Sequence, residues 1–265
     1  KAGMDMLLVG DSLGMAVYGY SGTVPVTLDQ SMYHTEAVRR GAPNTFIIGD
    51  MPFGSYHGSV NDAVQNAVQY HKKCGVDCIK LEGGVRVAHI IRAIADSGML
   101  VMGHVGLTPQ STGALGGFKA QGRSAESAMA IMDDAQAVYE AGAFAMLVEA
   151  VPPEVARMIA QELPIPIYGI GAGADCDGQV MIVSDMLVFV AIYQWVPGGE
   201  VIAHPAVLLA TLVVSVPAAT HLEKRYGHDA RCIVIDEVVG MQIALALAAP
   251  TTLGVWSAFF LFRVF

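Results

Sequence analysis

Charge is sparse in this sequence: Asp, Glu, Lys and Arg make up only 15% of its 265 residues, against roughly a quarter in an average soluble domain. The charge that is present leans acidic, with a formal net charge of −9. A nucleic-acid partner needs a basic face, so that class is excluded. Cysteine is scarce too. Cys74, Cys78, Cys176 and Cys232 form neither a paired framework nor a zinc-site spacing, which sets a reducing, cytoplasmic location as the expectation. A secretory leader is also missing from the reading, since the chain opens at Lys1-Ala2-Gly3-Met4-Asp5 and enters the apolar run Met6-Leu7-Leu8-Val9 at once. A strand so placed has no element before it, and the expectation is a natural start upstream of Lys1.

Apolar residues are abundant instead, at 54%, and they fall into two textures. As far as about Asp185 the chain alternates short apolar runs with amphipathic stretches, the pattern of a parallel α/β fold. The expected strands are Met6–Val9, Thr45–Gly49, Cys78–Leu81, Leu100–Gly103, Ala145–Val148, Ile165–Ile170 and Gln179–Val183. Nearly continuous apolar runs of this length suit a sheet covered on both faces. The expected helices are Ser59–Cys74, Val85–Ser97, Ser124–Ala141 and Pro153–Glu162. Ser59 and Ser124 stand as N-caps, and Gly75, Gly98 and Gly142 stand where helices stop.

Beyond Asp185 the alternation ends. Four apolar runs follow, over 186–196, 201–219, 232–249 and 253–265, with charge confined mainly to Glu223–Arg231 and the pair Asp236-Glu237. These runs are near or below the roughly 20 residues that span a bilayer. The expectation for 186–265 is a separate, apolar, mainly helical segment that does not complete the barrel and makes membrane contact.

Polar residues recur where the oily strands end: Gly10-Asp11-Ser12, Gly49-Asp50, Lys80-Leu81-Glu82, Gly103-His104 and Glu149-Ala150. In a parallel barrel the C-terminal strand ends meet on one face, whereas a doubly wound sheet collects only those near a switch point. So many furnished ends favour the barrel. Asp11, Asp50 and Glu82 end three different strands, and three like charges at close range call for a cation. Oxygen ligands without histidine or thiolate favour magnesium. Taken singly, each acid is as well explained by a helix cap or a lysine partner. Lys80 and Glu82 flank Leu81 and so share a face. There a lysine can hold an anionic substrate or merely balance charge. His104 follows Gly103, where a missing side chain leaves room for close ligand approach, although a structural histidine is the plainer reading. Glu149 suits a general base in a partly desolvated mouth, or an acid opening the next loop. Gly171-Ala172-Gly173 reads equally as a phosphate loop or a tight turn. Met4, Met6, Met99, Met102 and Met158 read as core.

The strings Leu8-Val9-Gly10-Asp11-Ser12-Leu13-Gly14-Met15, Pro25-Val26-Thr27, Tyr33-His34-Thr35, Asp50-Met51-Pro52-Phe53, Lys80-Leu81-Glu82-Gly83-Gly84, Gly103-His104-Val105-Gly106-Leu107-Thr108-Pro109-Gln110-Ser111 and Gly169-Ile170-Gly171-Ala172-Gly173 resemble the ketopantoate hydroxymethyltransferase family. The likeness is in order and extends over residues 1–185. It implies a (β/α)8 TIM-type barrel with magnesium held by Asp11, Asp50 and Glu82. It also implies that Ser12, Asp50, Lys80 and His104 contact the oxo acid and that Glu149 is the base. The family moves a one-carbon unit from 5,10-methylenetetrahydrofolate to 3-methyl-2-oxobutanoate, giving ketopantoate for pantothenate synthesis, and a homo-oligomer is the expected assembly. Members of that family begin one strand and helix upstream of Lys1, so the expected barrel lacks its first strand. They also continue past Asp185 with a terminal helical region not found here.

Ile233-Val234-Ile235-Asp236-Glu237-Val238-Val239-Gly240 and Phe259-Phe260-Leu261-Phe262-Arg263 resemble part of the phosphatidylglycerophosphatase A family of membrane lipid phosphatases. Its glycine- and proline-rich N-terminal motif and its later aspartate motif are not matched. Two rival functions therefore stand beside the transferase: a lipid phosphatase acting through the C-terminal segment, and another magnesium-dependent oxo-acid lyase on the same barrel.

Overall fold

Short apolar runs closed by glycine and polar residues can bury their backbones only by pairing with each other under a cover of helices. The computed structural model describes residues 4–182. Its strands are β1 (Met6–Val9), β2 (Phe46–Asp50), β3 (Cys78–Glu82), β4 (Leu100–Gly106), β5 (Ala145–Glu149), β6 (Ile167–Ile170) and β7 (Gly178–Gln179). All pair in parallel, in the order β1-β2-β3-β4-β5-β6-β7. A doubly wound sheet would reverse at a switch point. A sheet that keeps adding strands to one side coils with its own twist, which is the TIM-type barrel arrangement. Among the described residues β1 and β7 do not pair with each other, so the sheet is open between them.

The helices are α1 (Leu13–Ala16), α2 (Leu28–Gly41), α3 (Val60–Gln69), α4 (Ala88–Asp96), α5 (Thr112–Leu115), α6 (Ala125–Glu140) and α7 (Pro153–Glu162). Both expected serine caps form: Ser59 accepts the Asp62 N–H at 3.1 Å and Ser124 the Ser127 N–H at 3.2 Å. Two expected helices change pitch. Beyond α3 the turns over Tyr70–Cys74 widen to π geometry before Gly75 ends them at φ +63°. The chain enters α4 through a 3-10 turn, Val85–Val87. Strand ends also move: β4 runs on to Gly106, while β6 starts at Ile167, after Pro166, which has no N–H for a ladder. The expected helices beyond Asp185, with Asp236 and Glu237, lie outside the described residues.

Period-two geometry sorts the strand side chains into two populations. Val9, Ile47, Ile79, Leu81, Val101, Val105, Met146, Val148 and Ile167 pack with helix residues such as Ile91, Ile94, Val138 and Ile159 in the main core. The opposite face carries a smaller apolar cluster, with Ile48, Cys78, Met102, Ala145 and Leu147 at its centre. Continuing two residues along this inner face from Ile48, Met102 and Leu147 gives Asp50, His104 and Glu149. From Cys78 it gives Lys80 and then Glu82. The polar row is thus the next storey above an apolar floor.

Glycines on the outer face serve the packing. A Cβ on Gly103 would stand 2.2 Å from a Val138 methyl of α6, and one on Gly49 would stand 2.8 Å from the Tyr70 ring. Gly103 therefore admits a helix, not a ligand beside His104, which corrects the sequence expectation. Met99 and Met102 are buried as expected, but Met4 and Met158 are exposed. Gly171 and Gly173 adopt φ +58° and +86°, and a Cβ on Gly173 would meet Pro153 at 2.6 Å. The tight-turn reading accounts for that loop.

Candidate metal and catalytic centre

Three adjacent strands deliver the acids. β2 ends on Asp50, β3 ends on Glu82, and Asp11 opens the turn two residues after β1. All three are buried, at 1–3% exposure, and one carboxylate oxygen from each lies within 4.8 Å of the others. The Asp11 backbone N–H donates to Asp50 Oδ2 at 3.0 Å, so the first loop is docked on the second strand. The donor set is all oxygen, on rigid elements, and gathered around one point, which fits a hard divalent cation such as magnesium.

Lys80 sits beneath them. Its ammonium donates to Asp50 Oδ1 at 2.8 Å and reaches Glu82 Oε1 at 3.4 Å, with all three side chains buried. Burial by itself would lower the lysine pKa, but Asp50, Glu82 and Asp11 outweigh it and hold it above the usual value. Burial pushes Asp11 up to about 7, helped by Asp50 and opposed by Lys80. Asp50 is raised for the same first reason. Glu82 goes the other way: burial favours its neutral form, yet Lys80 and the nearby His104 bring it down to about 2. One lysine cannot satisfy three carboxylates, and the surplus negative charge is what a cation would neutralise.

His104 and Glu149 complete the row. The fully buried imidazole has Nε2 3.1 Å from Glu149 Oε2 and Nδ1 3.6 Å from Glu82 Oε1. Neither ring nitrogen is aimed along a hydrogen-bond line, so these are ion-pair contacts. Burial and Lys80 depress the imidazole pKa, while Glu149 and Glu82 overcome both and leave it up at about 9. Glu149 is the accessible partner, its side chain 21% exposed against 2% for His104. After it the chain turns sharply at Ala150, φ +47°. Ser12 is exposed at the head of α1, with no capping hydrogen bond from its side chain. A Cβ on Gly10 would lie 3.2 Å from Ser12 Oγ and 3.7 Å from Asp50 Oδ2, so the hydroxyl and one Asp50 oxygen border the same glycine.

Every site residue expected from the sequence therefore gathers at one end of the sheet. Four others were not singled out. Gln110, from the loop after β4, donates through Nε2 to Asp11 Oδ2 and through its backbone N–H to Glu82 Oε2, each at 2.9 Å. The Tyr56 hydroxyl donates to Gln110 Oε1 at 2.6 Å. Tyr70 and Ser31 donate to the Asp50 carbonyl at 2.7 and 3.2 Å. The one sequence signal for Gln110 was its place in the matched string Gly103–Ser111.

A family model described as ketopantoate hydroxymethyltransferase matches residues 1–195, and one described as phosphatidylglycerophosphatase A matches residues 169–265. The 3-methyl-2-oxobutanoate hydroxymethyltransferase of Alkaliphilus metalliredigens (strain QYMF) is 64% identical over 187 residues, covering 71% of this chain and 66% of that protein. The protein of the same name from Geobacillus kaustophilus (strain HTA426) is 53% identical over 187 residues, covering 71% and 67%. The chain thus spans about two thirds of the length of the curated relatives it matches. Among solved structures, a phosphonopyruvate hydrolase superposes with TM-score 0.51 at 15% identity, covering 85% of this chain and 88% of its own. A candidate lyase/mutase from Burkholderia cenocepacia J2315 gives 0.52 at 10%, covering 97% and 84%. At such identities the likeness concerns the fold alone.

Proposed function

The chain belongs to the ketopantoate hydroxymethyltransferase family, and from that premise we propose that it transfers a one-carbon unit from 5,10-methylenetetrahydrofolate to 3-methyl-2-oxobutanoate, with water supplying the new hydroxyl oxygen. The observation that carries the reading is the convergence of Asp11, Asp50 and Glu82 beside Lys80 and the His104–Glu149 pair. Breaking the C3–H bond next to a ketone needs a base and a positive field for the oxygen that gains charge.

Glu149 is the base. It is the one carboxylate of the row with solvent access, and His104 holds it from the buried side at 3.1 Å. Lys80 keeps a fixed positive charge under the acids and toward the bound oxo acid, with Asp50, His104 and the Ser12 hydroxyl lining the same space. Asp11, Asp50 and Glu82 would hold magnesium, which when bound supplies Lewis-acid stabilisation of charge on the substrate's oxo oxygen. Assembly into a homo-oligomer belongs to the same reading.

Residues 186–265 are read as a separate apolar segment in contact with a membrane, supported by the second family match. Among the described residues, no helix is long and apolar enough to cross a membrane.

The test is solvent exchange of the C3 proton of 3-methyl-2-oxobutanoate, followed by NMR in deuterated buffer with magnesium and without folate. The chain should catalyse exchange, and Glu149→Gln should slow it about 10²–10⁴-fold. An undiminished rate in Glu149→Gln would remove Glu149 from the role.

A further inference from the structure

Gln110 is 4% exposed and Tyr56 2% exposed, and their contacts form a closed circuit around the two outer acids. Gln110 Nε2 donates to Asp11 Oδ2 and to the Met51 carbonyl, both at 2.9 Å. Its Oε1 accepts the Tyr56 hydroxyl at 2.6 Å. Tyr56 in turn accepts the Glu82 backbone N–H at 3.2 Å. The circuit closes where the Gln110 backbone N–H donates to Glu82 Oε2 at 2.9 Å.

The orientation of the Gln110 amide is fixed. The Met51 carbonyl can only accept, so the amide nitrogen must face it, and the amide oxygen is left for the phenol. Flipping the amide would set oxygen against the Met51 carbonyl and against the Asp11 carboxylate. The Tyr56 hydroxyl has one proton, and its 2.6 Å contact with Gln110 Oε1 is much shorter than its 3.3 Å contact with the Glu82 carbonyl, so the proton goes to Gln110. The Asp11 oxygen facing Gln110 is therefore an acceptor in every state. Asp11 Oδ1 makes no hydrogen bond among the described residues and is the oxygen left for a ligand.

We propose that Gln110, locked by Tyr56, is a positioning residue that sets the spacing and the presented oxygens of Asp11 and Glu82 for the divalent cation. The inference rests on the metal-site reading above. Outer partners of metal ligands typically contribute about 10–100-fold to metal affinity when removed.

Calorimetric titration of magnesium into the full chain, freed of metal with a chelator, tests this on wild type, Gln110→Met and Tyr56→Phe. Urea midpoints without metal are measured in parallel. Gln110→Met should weaken magnesium about 10–100-fold, and Tyr56→Phe should weaken it less, because the amide keeps its bonds but loses its lock. A purely structural role would lower the urea midpoint and leave the magnesium constant unchanged in both variants, and that result overturns the proposal. Should Gln110→Met not fold, Tyr56→Phe decides by the same criterion. Wild type that binds no magnesium would instead overturn the metal-site reading, and this inference with it.

Discussion

Lys80 is the residue on which the site's electrostatics turn. It is buried with Asp50 and Glu82 on either side, and Asp11 adds a third negative group within reach. Removing one partner of a buried ionic cluster typically costs about 3–5 kcal/mol, because the remaining charge is left uncompensated. Lys80→Met should lower the stability of the metal-free chain by about that much in urea unfolding. Added magnesium should return part of it, since the cation replaces the missing charge. Equal stability of variant and wild type without metal would mean that the acids are already neutral. The sequence gives up these residues readily. Asp50, Lys80, Glu82, His104 and Glu149 each continue an apolar strand on one face, and alternation by two fixes where they point. Gln110 and Tyr56 obey no period. They come from loops, and Gln110 meets Asp11 across 99 positions of sequence, a contact no local rule anticipates.

Among the elements, the contact of β4 with α6 is set by a glycine. Gly103 faces outward, where a Cβ would lie 2.2 Å from Val138 Cγ1, so Gly103→Ala forces the helix away or twists the valine off its rotamer. Overpacking of this kind costs about 1–3 kcal/mol. Val138→Ala in the same chain should recover much of the loss, and a double-mutant cycle in urea reads the coupling. Purely additive effects would show that the two residues do not oppose each other. The same elements show why some helices were legible while the long α2 and the single turns α1 and α5 were not. The capped helices α3 and α6 combine a serine start with an apolar stripe. Helix α2 buries Ser31, Met32 and Thr35 against the sheet, so its inner face is half polar and its periodicity is faint. Its legible sign was the cap: Thr27 accepts the Gln30 N–H, and the Gln30 side chain answers the Thr27 N–H.

At the scale of the whole chain, the apolar run beyond Asp185 should govern handling. The full chain should require detergent to stay monodisperse in gel filtration, while a chain ending at Asp185 should not. If the full chain is monodisperse in plain buffer, the membrane-contact reading of 186–265 is wrong. The order of the sheet has a further consequence, for how the protein comes into being. Among the described residues each strand pairs with the strand before it in the chain, so a strand can be added as it leaves the ribosome without waiting for a later one, once the connection between the two has closed. The polar cluster does not assemble on that schedule. Asp11, Asp50 and Glu82 are in place once three strands are paired, but Gln110 arrives only after β4, and Glu149 with β5. For that interval the acids stand together without the amide that orders them. Until then Lys80, Tyr70 and Ser31 hold Asp50 in the nascent sheet, and the residue that sets Asp11 against Glu82 comes afterwards, from the far side of β4.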